Sequence, residues 1–142
     1  MKDDMGKVIA QIKVDNWLDV ELITAGVRKE EPRSVETEAL VDTGAVKFYL
    51  KSSVIRQLGL HPVGEIRMRT MSNRSEPRTV FSMATLEIQG RTGRFDVVEV
   101  PDSLPNIVGQ IPLEDLDLVV DCRNQKLIPN PAHQNGEMYD EF

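Results

Sequence analysis

Cysteine is almost missing from this 142-residue sequence, with Cys122 the only one. A lone thiol cannot bridge within its own chain, so the fold rests on a packed core, and such cysteine usage suits a reducing compartment. Positive charge is in deficit as well: 17 Lys and Arg stand against 23 Asp and Glu, a net of −6. That balance argues against binding a nucleic-acid backbone, which calls for clustered cations. Histidine occurs only at His61 and His133, and with Cys122 these lack the close spacing of a zinc site, so neither metal nor cofactor is expected. No apolar run approaches the roughly 20 residues that a bilayer span requires, and no membrane partner is expected. The opening MKDDMGK sets two aspartates where a secretory signal would carry positive charge, which makes the cytoplasm the expected location. Internal repeats and low-complexity blocks are absent too.

What is present is the composition of a globular domain, 40% apolar and 28% charged. A chain of this length buries roughly two-thirds of its unfolded surface. Residues 1–130 read as one domain and 131–142 as a flexible tail. Val8, Ala10, Ile12 and Val14 alternate with polar neighbours, the period of a strand. Trp17 to Thr24 alternates more loosely and predicts a second strand, hairpinned on the first. Val35, Thr37, Ala39 and Val41 form another run, which leads into Asp42-Thr43-Gly44.

One helix is expected, after Phe48 to Leu50. Ser52 or Ser53 would cap it, Val54, Ile55 and Leu58 would share its apolar side, and Gly59 would end it. Beyond Pro62 and Gly64, the runs around Ile66 to Thr70 and Val80 to Gln89 predict a long hairpin tipped by Ser72 to Pro77. Strands follow at Arg94 to Val100 and Ile107 to Gly109, then a helical turn at Leu113 to Leu116 and a last hairpin turning at Arg123 and Asn124. The fold class is mainly β.

Such a fold carries no function by itself, so the argument rests on a site. The strongest candidate is Leu40-Val41-Asp42-Thr43-Gly44-Ala45, an acid at the end of an apolar strand in a glycine turn. Asp-Thr-Gly alone is a weak signal, arising by chance in on the order of a few per cent of chains this long. A plain turn, with Asp accepting local backbone hydrogen bonds, would also explain it. Its surroundings carry more.

From about Val35 to Asn130 the sequence resembles the retroviral-type aspartic peptidases, the retropepsin-like family, and in particular its small bacterial members with one such motif per chain. Four features stand in the family's order: the apolar strand into Asp42-Thr43-Gly44-Ala45, the helix ending in Leu58-Gly59-Leu60, the long hairpin, and Ile107-Val108-Gly109 followed by Leu118-Val119-Val120-Asp121. Sixty-seven positions separate Asp42 from Gly109, room for a flap and its supporting strands. The resemblance implies a closed β-barrel half-lobe with one helix and a flap hairpin, active as a homodimer on a peptide or protein substrate. It makes Asp42 catalytic and assigns Thr43, Gly44 and Gly109 to the support of the active-site loop. It places Ala45 and the flap residues Met71, Ser72 and Asn73 against substrate. Where viral relatives carry Arg and then Asp or Asn after the second glycine, this chain has Gln110 and Ile111, so its dimer contacts differ. The hairpin also has no glycine between Ile66 and Gln89, which implies a stiffer and more polar flap.

The chemistry explains why two chains are expected. Peptide hydrolysis needs a water made nucleophilic and a leaving amine protonated, and two carboxyls holding one proton supply both. Two negative charges ~3 Å apart at an effective dielectric of about 20 repel by roughly 5 kcal/mol, or about four pKa units, so one of the pair stays protonated. Such sharing is the known behaviour of aspartic protease dyads. The sequence holds a single Asp-Thr-Gly, so the pair takes one Asp42 from each protomer across a twofold axis. The competing reading is a non-catalytic dimeric β scaffold that binds peptides or a partner protein and keeps the motif as a turn.

Other residues have plainer expectations. His61, His133 and Cys122 read as surface or turn residues, Trp17 and Phe48 as core, and Asp115, Asp117 and Asp121 as facing solvent. Arg67, Arg69, Arg74 and Arg78 cluster along the hairpin, either as a solvated strand face or as cations that meet an acidic substrate.

Overall fold

The computed structural model describes residues 7–70 and 72–133. Strand β1 (Val8–Asn16) buries Val8, Ala10, Ile12 and Val14 and exposes Ile9, Gln11 and Lys13. A period of two puts one face on the core, as the sequence alternation requires. It pairs antiparallel with β2 (Ser34–Val41), from Val8 opposite Val41 to Asp15 opposite Ser34.

The segment between them is not the strand that its alternation suggests. Residues Trp17–Thr24 form helix α1, which sits in the connection of the β1–β2 hairpin. The cause is local: Asn16 Oδ1 accepts the N–H of Asp19 at 3.0 Å, an N-cap, and Asn16 Nδ2 donates to the Leu58 carbonyl at 2.8 Å. With its cap anchored and an acid in the first turn, the chain leaves β1 directly into a helix.

Strand β7 (Ile107–Val108) lies parallel to β2, and β3 (Phe48–Lys51) is antiparallel to β7 on its other side. Next to β3 comes β6 (Arg91–Val100), in parallel, and next to β6 comes β5 (Ser75–Ile88), antiparallel. β5 then pairs back onto β1, from Lys13 opposite Glu87 to Asn16 opposite Ala84. That pairing closes six strands into a ring and leaves β4 (His61–Arg69) outside it, joined to β5. Closure removes the open edges of the ring, so the mainly β architecture is a closed sheet with one projecting hairpin. Val14, Leu50, Leu58, Ala84, Leu86, Val97 and Val108 are fully buried inside it. Phe48 is core as expected, while Trp17 is half-buried beneath the guanidinium of Arg94.

Helix α2 (Ser52–Leu58) turns Val54, Ile55 and Leu58 inward and ends on Gly59 at φ 65. Neither serine caps it. Ser52 Oγ donates to the Val100 carbonyl at 3.3 Å, and the helix start is bound from afar, by Asp102 Oδ1 accepting the Ser53 N–H at 3.0 Å. Helix α3 (Gln110–Asp115) leads to a separate antiparallel hairpin of β8 (Leu118–Asp121) and β9 (Lys126–Pro129). The single helix expected thus becomes three, with a short 3-10 turn at Pro131–His133. The rest of the tail, 134–142, and the first six residues lie outside the described residues. No described helix is long and apolar enough to cross a membrane.

Candidate active site

Strand β2 delivers Asp42 at its end, and the ladder continues one step further. The Asp42 N–H donates to the Val108 carbonyl at 3.0 Å, as the Leu40 N–H does to Asn106 at 2.8 Å. The chain then reverses, with the Ala45 N–H on the Asp42 carbonyl at 3.1 Å. Within that turn the Gly44 N–H donates to Asp42 Oδ1 at 2.9 Å. A Cβ on Gly44 would stand 3.2 Å from the same oxygen, so a glycine here gives the carboxylate room. Asp42 is half-buried, whereas Thr43 and Gly44 are exposed.

The far side of the loop is held by the start of α3. The N–H groups of Gly109, Gln110 and Ile111 donate in turn to the carbonyls of Lys47, Ala45 and Val46, at 2.8, 2.8 and 2.9 Å. Backbone approaches this close exclude a side chain: a Cβ at Gly109 would lie 2.5 Å from Lys47 O and 2.7 Å from Ala45 O. The Tyr49 hydroxyl accepts the Lys47 N–H at 3.3 Å. The structure therefore brings Asp42, Thr43, Gly44, Ala45 and Gly109 into one frame.

Of the flap residues, the described ones bond within the hairpin tip. Met71 lies outside the described residues. Ser72 and Asn73 are exposed at the tip and bonded locally: Thr70 Oγ1 is 3.0 Å from Ser72 Oγ, and an Arg69 Nη donates to Asn73 Oδ1 at 2.7 Å. Asn73 adopts φ 63, so the tip takes its left-handed residue from Asn in place of glycine. It is the stem of the hairpin that meets the loop. Ile66, Met68 and Val80 pack on Tyr49, Val98 and Val100, together with Ala45 of the Asp42 loop and Ile107 of β7.

Three residues were not read from the sequence as parts of this frame. Asn106 is buried, its Nδ2 donating to Glu38 O at 3.1 Å and its Oδ1 accepting the Lys51 N–H at 2.9 Å. A polar residue directly before the apolar pair Ile107-Val108 was the available signal. Val46 and Ile111, joined by a backbone bond beside the loop, are about half exposed, at 52% and 49%.

Charge is concentrated elsewhere. Asp19 receives the Arg33 N–H, Nε and Nη2 at 3.0, 2.8 and 3.0 Å, and these bonds outweigh its burial and hold its carboxyl at about 2. Asp117 does not face solvent as expected. It is buried, and although burial opposes its charge, hydrogen bonds from His133, 2.8 Å away, and Asn130 keep the carboxyl below its ordinary value. His133 is accordingly a half-buried partner of Asp117, and Cys122 is exposed. Among the described residues, no three His, Cys, Asp or Glu side chains come together as a metal site would require.

A family model described as aspartyl protease matches residues 23–114, a span that contains the Asp42 turn, the flap and Gly109. No curated protein matches the chain.

Proposed function

We propose, because the chain belongs to the aspartyl protease family, that it is an endopeptidase whose active site pairs Asp42 from two copies. The observation that carries this reading is the frame around Asp42, fixed by Val108 on one side and by the start of α3 on the other. A rigid loop that presents a partly accessible carboxylate supplies the positioning that acid–base chemistry requires.

In the reaction the ionised member of the Asp42 pair takes a proton from water as the oxygen attacks the peptide carbonyl. Its protonated partner then supplies a proton toward the leaving amine. The Gly44 N–H on Asp42 Oδ1 holds one carboxylate edge in place, which leaves the other edge for the twofold partner and the water. Thr43, exposed next to Asp42, would meet its symmetry mate across the axis. Val46 and Ile111 supply apolar surface beside it. An extended peptide would lie between this loop and the flap stem, its alternate side chains entering the apolar lining.

The test is a peptide-library digest with wild type beside Asp42→Asn, a nearly isosteric change. The expected result is an intact fold with activity lower by roughly 10²–10⁴-fold. Equal digestion by the two proteins would remove Asp42 from the chemistry, and no digestion by either while peptides still bind would favour the scaffold reading.

A further inference from the structure

The flap stem carries a half-buried cation, Arg78, on the face that packs with Ala45 of the Asp42 loop. In the β4–β5 register Arg78 stands opposite Ile66 and Glu76 opposite Met68. Directly opposed residues share a face of the sheet, so both charges lie on the side where Ile66, Met68 and Val80 pack. Arg67 and Arg69 alternate to the other face, where Arg67 is tied to Ser75. Of the four hairpin arginines the structure thus singles out Arg78.

Its side chain is 15% exposed, against 41% for Glu76. One terminal nitrogen, Nη1, serves both Glu76 Oε1 at 3.0 Å and the Pro77 carbonyl at 3.2 Å. Nε is buried and finds no acceptor among the described residues. A guanidinium presents its N–H groups as a planar fork that matches a carboxylate through two parallel bonds, and Glu76 engages only one corner of it. The Nε edge, buried and without an acceptor among the described residues, lacks the partner that a second acid would supply once Glu76 moves aside. Lys47 and Asp96 stand at the neighbouring apolar pocket, so Asp96 is the one opposing charge there.

We propose that Arg78 determines specificity by receiving an Asp or Glu side chain of the peptide substrate through its Nε edge. This rests on the peptidase reading above. The acidic residue would sit beside the scissile bond, at a position whose side chain points toward the flap, with more exposed Glu76 shifting to admit it.

The experiment compares peptides that carry Glu, Gln or Lys at each position around the cleaved bond, digested by wild type, Arg78→Met and Arg78→Lys. At one position wild type should favour Glu over Gln by roughly tenfold or more in kcat/KM. Arg78→Met should lose that preference yet still cleave the Gln peptide, and Arg78→Lys, which keeps the charge without the fork, should fall between. Wild type cleaving Glu and Gln peptides alike at every position would overturn the proposal while leaving the peptidase reading intact. So would a preference that survives in Arg78→Met. If wild type cleaves none of them, fluorescence anisotropy with the same Glu and Gln peptides decides: tighter binding of Glu, lost in Arg78→Met, supports the assignment, and equal binding overturns it.

Discussion

The Gly109 N–H donates to the Lys47 carbonyl at 2.8 Å, and a Cβ on Gly109 would stand 2.5 Å from that same oxygen. Gly109→Ala should therefore push the Asp42 loop off α3. Overpacking of this kind costs about 1–3 kcal/mol. Thermal unfolding should show that loss, and peptidase activity should fall by more than the stability change explains. Gly44→Ala, whose Cβ has 3.2 Å of clearance, should be milder in both measurements.

Acid sensitivity should trace in part to Asp19, whose folded carboxyl is lowered to about 2 from an ordinary 3.8. A depressed carboxyl stabilises the fold fully above about pH 4, and the contribution fades as pH falls toward 2. Asp19→Asn removes the charged partner of Arg33, whose side chain is 47% exposed and rehydrates, and should lower stability at neutral pH by about 1–2 kcal/mol. Urea unfolding at pH 6 and at pH 2.5 should show the gap between wild type and variant narrowing at the lower value.

If each active site takes two Asp42 side chains, activity per mole should fall on dilution below the dimer dissociation constant. Excess Asp42→Asn mixed with wild type should poison it, because each heterodimer holds one competent carboxyl. Sedimentation run beside the assay checks both. A monomer whose specific activity ignores dilution would exclude a shared site.

Replacing Asn106 removes the bridge between Glu38 O and the Lys51 N–H. Asn106→Ala leaves both backbone groups short of a partner in a buried place, at a cost of about 2 kcal/mol. The urea midpoint should drop with little change in slope, the mark of lost stability without altered compactness.

Where each side chain's surroundings were local, the sequence was legible. The strict alternation of Val8 to Val14 specified β1, Gly59 marked the end of α2, and the turn at Asp42 followed from its glycine. Features that depended on distant partners were not. Trp17–Thr24 alternates weakly enough to read as a strand, and its helix depends on Asn16, whose own side chain is held by Leu58 forty-two residues away. The acceptor at the start of α2 is Asp102, forty-nine residues from Ser53. Within the flap, periodicity separated inward from outward residues only once the register set Arg78 against Ile66.

The bond from the Asp42 N–H to Val108 joins positions 66 residues apart, and the clamp from Gly109 to Ile111 onto 45–47 spans nearly as far. Contacts of such separation form late, because the intervening chain must be ordered before they return any free energy. During synthesis, then, a nascent chain that stops short of residue 108 carries Asp42 without its frame. The loop therefore lacks its supports until β7 has been made and lies between β2 and β3.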